Sequence, residues 1–230
     1  MSDSDKKELL KAYEDLRVAD VRDGMDTVLR HYTGSMSPAI RPLFRTQAFG
    51  IARTCRYVPF RSNIPELSPD EYWDWCEDYY QNICPYPWTE GITEGDFIVI
   101  DQSGVDVGLM GSDNTLNCLR RGARGFVTNG GVRDTDEIIR QKVPFWSLMI
   151  SQSMVQGRLQ FDTKDIPVSV GGVLVHPGDM VVADGDGVIV VPREVAQEVA
   201  GHAHAEHQRD KKRRAEHYKS LGWKPDSTVT

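Results

Sequence analysis

Long apolar runs are missing from this 230-residue chain, and none approaches the ~20 residues that would span a bilayer. The first residues, Met1-Ser2-Asp3-Ser4-Asp5-Lys6-Lys7, are polar and carry no signal-peptide h-region. A cationic excess is also missing. Lys and Arg total 27 against 34 Asp and Glu, a net charge of -7, which argues against a nucleic-acid partner. The four cysteines, Cys55, Cys76, Cys84 and Cys118, form no C-x-x-C pair, so neither a zinc knuckle nor a redox motif is signalled. The expectation is a reduced, cytoplasmic chain with free thiols and no membrane segment. Nucleotide fingerprints are absent too. Neither Gly108-Leu109-Met110-Gly111 nor Gly122-Ala123-Arg124-Gly125 completes a G-x-G-x-x-G or Walker A motif.

What is present suits one sizeable domain, with 40% hydrophobic and 27% charged residues and no internal repeat. Residues 1–45 read as a helical part. Leu9, Leu10, Tyr13 and Leu16 share a helix face, and Val18 through Leu29 suggest a second helix. Asp5 and Glu8 have the spacing of a capping box. Residues 46–192 read as an α/β core. A strand is expected over 47–58, then an excursion over 59–94 rich in Pro, Trp and Tyr. Ser68-Pro69-Asp70-Glu71 looks like a helix start inside it. Its aromatic cluster either lines a binding surface or packs as ordinary core, and packing is the preferred reading. Further strands are expected at 97–100, 125–128, 145–150, 168–170, 173–175, 180–182 and 188–191, and helices at 112–121 and 135–141. Residues 193–230 read as a long polar helix and tail.

Two segments have the residue types for chemistry. Gly111-Ser112-Asp113-Asn114 sits where a loop enters a helix. Free N–H groups there attract carboxylates, although Ser112 as a plain N-cap is the simpler reading. Asn129-Gly130-Gly131-Val132-Arg133-Asp134 reads as a turn after a buried strand. Arg133 offers a bidentate fork for a carboxylate, and Asp134 a hard oxygen ligand for Mg²⁺ or Mn²⁺. A solvated turn with an ion pair fits the same six residues. A βαβ-like spacing between the segments can bring both to one sheet edge. Elsewhere, His204 and His207 on the C-terminal helix are read as a solvated face rather than a metal site, and the run Arg209 to Arg214 as surface. Asp162, Asp165, Asp179, Asp184 and Asp186 are read as turn formers.

The run from Gly108 to Asp134 resembles the RraA-like family. So do Val21-Arg22-Asp23-Gly24-Met25-Asp26, Gly95 to Asp101, and Pro177-Gly178-Asp179 with Ala183 to Pro192. This family holds class II 4-hydroxy-4-methyl-2-oxoglutarate and 4-carboxy-4-hydroxy-2-oxoadipate aldolases, and regulators of ribonuclease activity A. The resemblance implies a swivelling β/β/α domain with N- and C-terminal helices, assembled as a homotrimer or dimer of trimers with active sites between subunits. It implies that Arg133 binds a small 2-oxo acid, that Asp134 is the direct ligand of Mg²⁺ or Mn²⁺, and that backbone amides of Gly111 to Asn114 hold the substrate carboxylate. An acidic residue of a neighbouring subunit's C-terminal helix reaches the metal's water shell; Asp210 best matches it, Glu206 less well. The implied activity is C–C lyase chemistry, retro-aldol cleavage or decarboxylation, through an enolate that Arg133 and the metal stabilise. A non-catalytic regulator and a metal-dependent hydratase or dehydratase are the alternatives. Family aldolases have Gly, an acidic residue and two apolar residues in the loop, where this chain has Gly111-Ser112-Asp113-Asn114. Ser112 cannot replace that carboxylate; Asp113 can if the loop is rearranged. The excursion over 59–94 is longer than in compact members.

Overall fold

The computed structural model describes residues 2–230. The chain opens with α1 (Asp3–Ala12) and α2 (Val18–Thr27). The capping box of α1 lies one turn earlier than the sequence spacing suggests. Ser2 Oγ accepts the Asp5 N–H at 3.2 Å while the Asp5 carboxylate accepts the Ser2 N–H at 3.3 Å, so Asp5 closes the box instead of opening it. A hydroxyl at position 2 supplies the cap, and the helix begins there.

The core is a nine-stranded sheet. Its strands are β1 (Arg41–Pro42), β2 (Ala48–Pro59), β3 (Asp96–Asp101), β4 (Gly108–Met110), β5 (Ala123–Val132), β6 (Phe145–Ile150), β7 (Leu159–Lys164), β10 (Met180–Asp184) and β11 (Gly187–Val191). They run in the order β1-β6-β5-β3-β2-β10-β11, with β4 added to β5 and β7 to β2. β8 (Val168–Val170) and β9 (Val173–Val175) form a separate hairpin. The central strands β2, β3, β5 and β6 are parallel, and antiparallel strands finish both sides. Helices α3 (Pro69–Asn82), α4 (Ser112–Leu119), α5 (Thr135–Arg140) and α6 (Ala196–Leu221) complete the fold. A mixed α/β domain with terminal helices is therefore the architecture, as the sequence leads one to expect.

Parallel strands are covered on both faces, which is why β3 is an unbroken apolar run. Ile98 and Ile100 feed one core, together with Phe126, Phe145 and the aromatic excursion. Phe97 and Val99 feed a second core, closed by the β8–β9 hairpin and by Met36 and Ile40. A third core joins α1, α2 and α6 to β10 and β11. The excursion packs as expected: Tyr79 and Trp88 are fully buried, and Trp88 Nε1 donates at 2.8 Å to the Oη of Tyr57, a buried residue of β2. Ser68 caps α3, with Pro69 in its first turn.

Two sequence expectations need correction. His204 and His207 of α6 are not solvated: His204 Nε2 lies 3.0 Å from Ala12 O, and His207 Nδ1 2.9 Å from Asp20 Oδ2. They point inward because α6 packs against both N-terminal helices, His204 meeting the end of α1 and His207 meeting α2. A Cβ at Gly24 would stand 2.6 Å from Val199 O. Asp162 is no turn former; it lies in β7 and pairs with Arg56 of β2 at 2.7 Å, as a cross-strand partner can. Asp179 is a turn former as expected, its carboxylate accepting the His176 N–H at 2.8 Å across Pro177-Gly178, and it also accepts the Arg193 N–H at 3.1 Å, which pins the start of β10 to the entry of α6.

Asp20 is the most enclosed charge of the helical layer. Burial alone would raise its carboxyl, but the Arg17 guanidinium and backbone N–H, with His207 nearby, hold it below its ordinary range. Its contribution to stability is therefore complete above the ordinary carboxyl pKa and fades as pH falls through the lowered folded value. Asp20→Asn should cost about 1.5–3 kcal/mol at neutral pH, the scale of hydrogen bonds to a charged group, as read by urea unfolding. The same variant should lose less stability than the parent between neutral pH and pH ~3.

Candidate active site

Strand β5 does not turn at Asn129-Gly130-Gly131; it continues to Val132. The glycines serve close packing. Gln102, fully buried, lies over Gly130, where a Cβ would stand 2.5 Å from Gln102 Cβ. Thr128 Oγ1 donates to Gln102 Oε1 at 2.6 Å and accepts the Gly130 N–H at 3.0 Å. Gln102 Nε2 in turn donates to Val107 O at 3.0 Å. The register against β6 shifts between Thr128 and Gly131, so the expected turn is an irregularity within a strand.

Beside this stretch lies β4, which sequence reading misses because Gly108-Leu109-Met110 carries no β-branched residue. It pairs in parallel with β5, Gly108 opposite Gly131 and Met110 opposite Val132. Arg133 N donates to Met110 O at 3.0 Å. Gly108 leaves room for the Arg133 stem, since a Cβ there would stand 2.7 Å from Arg133 Cβ. The βαβ-like spacing thus brings both segments to one edge, at the C-terminal ends of parallel strands where α/β folds place ligands.

Ser112 is not the cap of α4. Gly111 occupies the N-cap position in extended conformation, and Ser112 is the first helical residue. The cap comes from outside: Asp134 Oδ2 accepts the Ser112 N–H at 3.2 Å. A side chain at 111 would forbid this, because its Cβ would stand 2.3 Å from that oxygen. The other Asp134 oxygen accepts from Arg133 Nε at 3.2 Å. Both side chains stay about one-third exposed, at 33% and 36%. Asp134 has φ of 54°, a left-handed conformation uncommon outside glycine, at the entry of α5.

Asp113 is exposed on the first turn of α4. Asn114 is half-buried and lies beside the Tyr86 hydroxyl. Burial pushes that phenol well above its ordinary value, with Asn114 opposing. Cys118, on the same helix, is pushed up to about 12 by burial and stays a thiol, so it offers no nucleophile. Asp210 is not near this edge within one protomer. It is on α6, paired with Arg214 at 3.5 Å, and β3 and β2 separate β5 from β10, on which the α2–α6 layer packs. Glu206, on the same helix, pairs with Arg209. Around Arg133 and Asp134 the neighbouring elements expose apolar side chains: Leu116 on α4, Ile139 on α5, and Leu148 and Ile150 on β6. Sequence reading missed Gln102 and Tyr86. A lone glutamine directly after an apolar strand is a usable signal for the first; nothing local marks the second.

The family model described as RraA-like, Aldolase/RraA, matches residues 18–190. A Halalkalibacterium halodurans protein named "Putative 4-hydroxy-4-methyl-2-oxoglutarate aldolase" is 34% identical over 102 residues, 43% of this chain and 47% of that protein. A Deinococcus radiodurans protein of the same name is 33% identical over 101 residues, 44% of this chain and 62% of its own length. Protein DlpA of Legionella pneumophila is 35% identical over 103 residues, 44% of this chain but 17% of that longer protein. The chain thus spans less than two thirds of the length of each. Among solved structures, Streptomyces coelicolor RraAS2, described as an unusual member of the RNase ES inhibitor RraA protein family, superposes with a TM-score of 0.72 at 27% identity, over 90% of this chain and 96% of its own. An uncharacterized protein from Pseudomonas syringae pv. tomato gives 0.74 at 26% identity, over 97% and 98%. With the family model covering well over half of its residues and the same fold in solved relatives, the chain belongs to the RraA-like family.

Proposed function

We propose that the chain is a lyase that cleaves or decarboxylates a small 2-oxo acid at the shared edge of β4 and β5, with Mg²⁺ or Mn²⁺ carried by Asp134. One observation supports this above the others: the Asp134 carboxylate is held between the Ser112 N–H and Arg133 Nε, so a hard oxygen donor, a guanidinium and a helix N-terminus converge. The donor set fits a hard cation. Asp134 is partly exposed and keeps unused lone pairs, and Gly111 clears the space beside it. Among the described residues no three His, Cys, Asp or Glu side chains cluster as a metal cage. That suits an ion that keeps water and substrate oxygens in its shell, and not a closed zinc site. When bound, such an ion supplies Lewis-acid polarisation of the 2-oxo and carboxylate oxygens.

The chain's own groups do the rest. The first-turn N–H groups of α4 beyond Ser112, those of Asp113 and Asn114, bind the substrate carboxylate. Arg133 keeps its terminal nitrogens free of Asp134 and faces the negative charge that develops on the 2-oxo oxygen as the C–C bond breaks. Asp113, exposed on the first turn of α4, is the carboxylate that would orient the water taking the proton of a 4-hydroxyl during retro-aldol cleavage, a task for which Ser112 has no carboxylate. Decarboxylation needs no such acceptor. The exposed Leu116, Ile139, Leu148 and Ile150 around the site support assembly into a trimer or dimer of trimers, in which Asp210 of another copy completes the ion's surroundings.

A second reading, a non-catalytic regulator, is favoured by Ser112 at the acidic position and by the solved RraA relatives. Turnover separates the two.

With Mg²⁺ or Mn²⁺ and a panel of 4-hydroxy-2-oxo acids and oxaloacetate, coupled pyruvate detection should show turnover, and Asp134→Ala should lower kcat/KM at least ~100-fold. Full activity in that variant would discard the metal-site assignment. Gly111→Ala should act similarly on activity with little change in Tm, because the clashing atom is the tip of a side chain that can move aside. Light scattering should give a trimeric or hexameric mass, reduced by Ile150→Glu.

A further inference from the structure

The aromatic excursion does more than cover the sheet. Tyr86 stands among Tyr57 and Trp88, with ring centroids 6.1 and 6.2 Å away, and stacks on Tyr80 at 6.4 Å. Its hydroxyl leaves this cluster and donates to Leu109 O at 2.8 Å. Leu109 is the middle residue of β4. One edge of β4 is bonded to β5, and the strand has no other strand partner. A three-residue strand bonded on one side is weakly specified, so a fixed donor on its other side has leverage. Two residues after Leu109 comes Gly111, and then Ser112 with its N–H on Asp134. From the far side of that turn, Asn114 lies beside the same Tyr86 hydroxyl. One phenol therefore touches the strand before the turn and the helix after it.

We infer that Tyr86 is a positioning residue for the site: by holding Leu109 O, it sets where the β4–α4 turn stands and hence where the N–H groups of Ser112 to Asn114 point. The inference rests on the reading of that turn as the carboxylate cradle. It assigns the long excursion a role, since the packing of Tyr57, Tyr79 and Trp88 is passed through a single hydroxyl to the substrate-binding turn.

Tyr86→Phe tests this while keeping the ring. Three quantities are read on the full chain with Mg²⁺: KM and kcat for the 2-oxo acid, the affinity for oxalate by calorimetry, and hydrogen exchange at the amides of residues 110–115. Removing one hydrogen bond should raise KM and the oxalate Kd about tenfold, with kcat changed much less and exchange at Ser112 to Asn114 accelerated. Tyr80→Ala, which removes the stacked ring, should give a smaller change in the same direction and serves if Tyr86→Phe does not fold. Trp73→Ala, an exposed position of the same excursion, should change none of them. Unchanged exchange at 112–114 in Tyr86→Phe overturns the inference, as does unchanged KM in an active enzyme or an equal effect of Trp73→Ala. A parent protein without turnover defeats the lyase reading instead, and the exchange data then decide the positioning role alone.

Discussion

At Gly131 the chain has room for no side chain. A Cβ would stand 2.7 Å from Val107 O and 2.8 Å from Ser151 Cβ. That clearance lets the segment leading into β4 lie against the end of β5, and the candidate site follows from it. Once Gly108 is opposite Gly131, Arg133 N reaches Met110 O, the chain turns at Gly111, and α4 starts with its first N–H facing Asp134. The obstacle at Gly131 is partly backbone, which cannot rotate away as a side chain can. A methyl group there would separate the two halves of the site at their root, whereas one at Gly111 disturbs a single carboxylate.

Asp134 illustrates how such a site holds an unfavourable conformation. A left-handed backbone costs a non-glycine residue roughly 1–2 kcal/mol. Here the carboxylate is restrained on one side by the Ser112 N–H and on the other by Arg133, while α5 begins immediately after it. The strain is carried by a residue whose side chain must point back over β4, and not forward along α5. Backbone strain of this kind concentrates where geometry serves binding.

Much of this was legible in the sequence, for identifiable reasons. Unbroken apolar runs such as Phe97–Ile100 mark buried parallel strands, and the pairing of Gly111–Asn114 with Arg133–Asp134 needs only the βαβ spacing. What escaped was non-local. The inward His204 and His207 look polar on a helical wheel, and only the packing of α6 against α1 and α2 makes them partners of Ala12 and Asp20. Asn129-Gly130-Gly131 has turn composition, but the glycines answer to Gln102 and Val107, which are distant in sequence. Tyr86 is one aromatic residue among many until its hydroxyl is seen on Leu109.

The latch between the helical layers also bears on how the molecule is made. Tyr13 Oη donates to Ala196 O, and Ala12 and Asp20 are held by His204 and His207, so α1 and α2 are completed by a helix 183–192 residues further along the chain. On a ribosome, α1 and α2 emerge long before α6 and have only part of their apolar partners until it arrives. Contacts that span nearly the whole chain slow folding and leave sticky helix faces exposed in the interval. The third core thus closes only when α6 arrives, and the interval before that is where a chaperone would have most to shield.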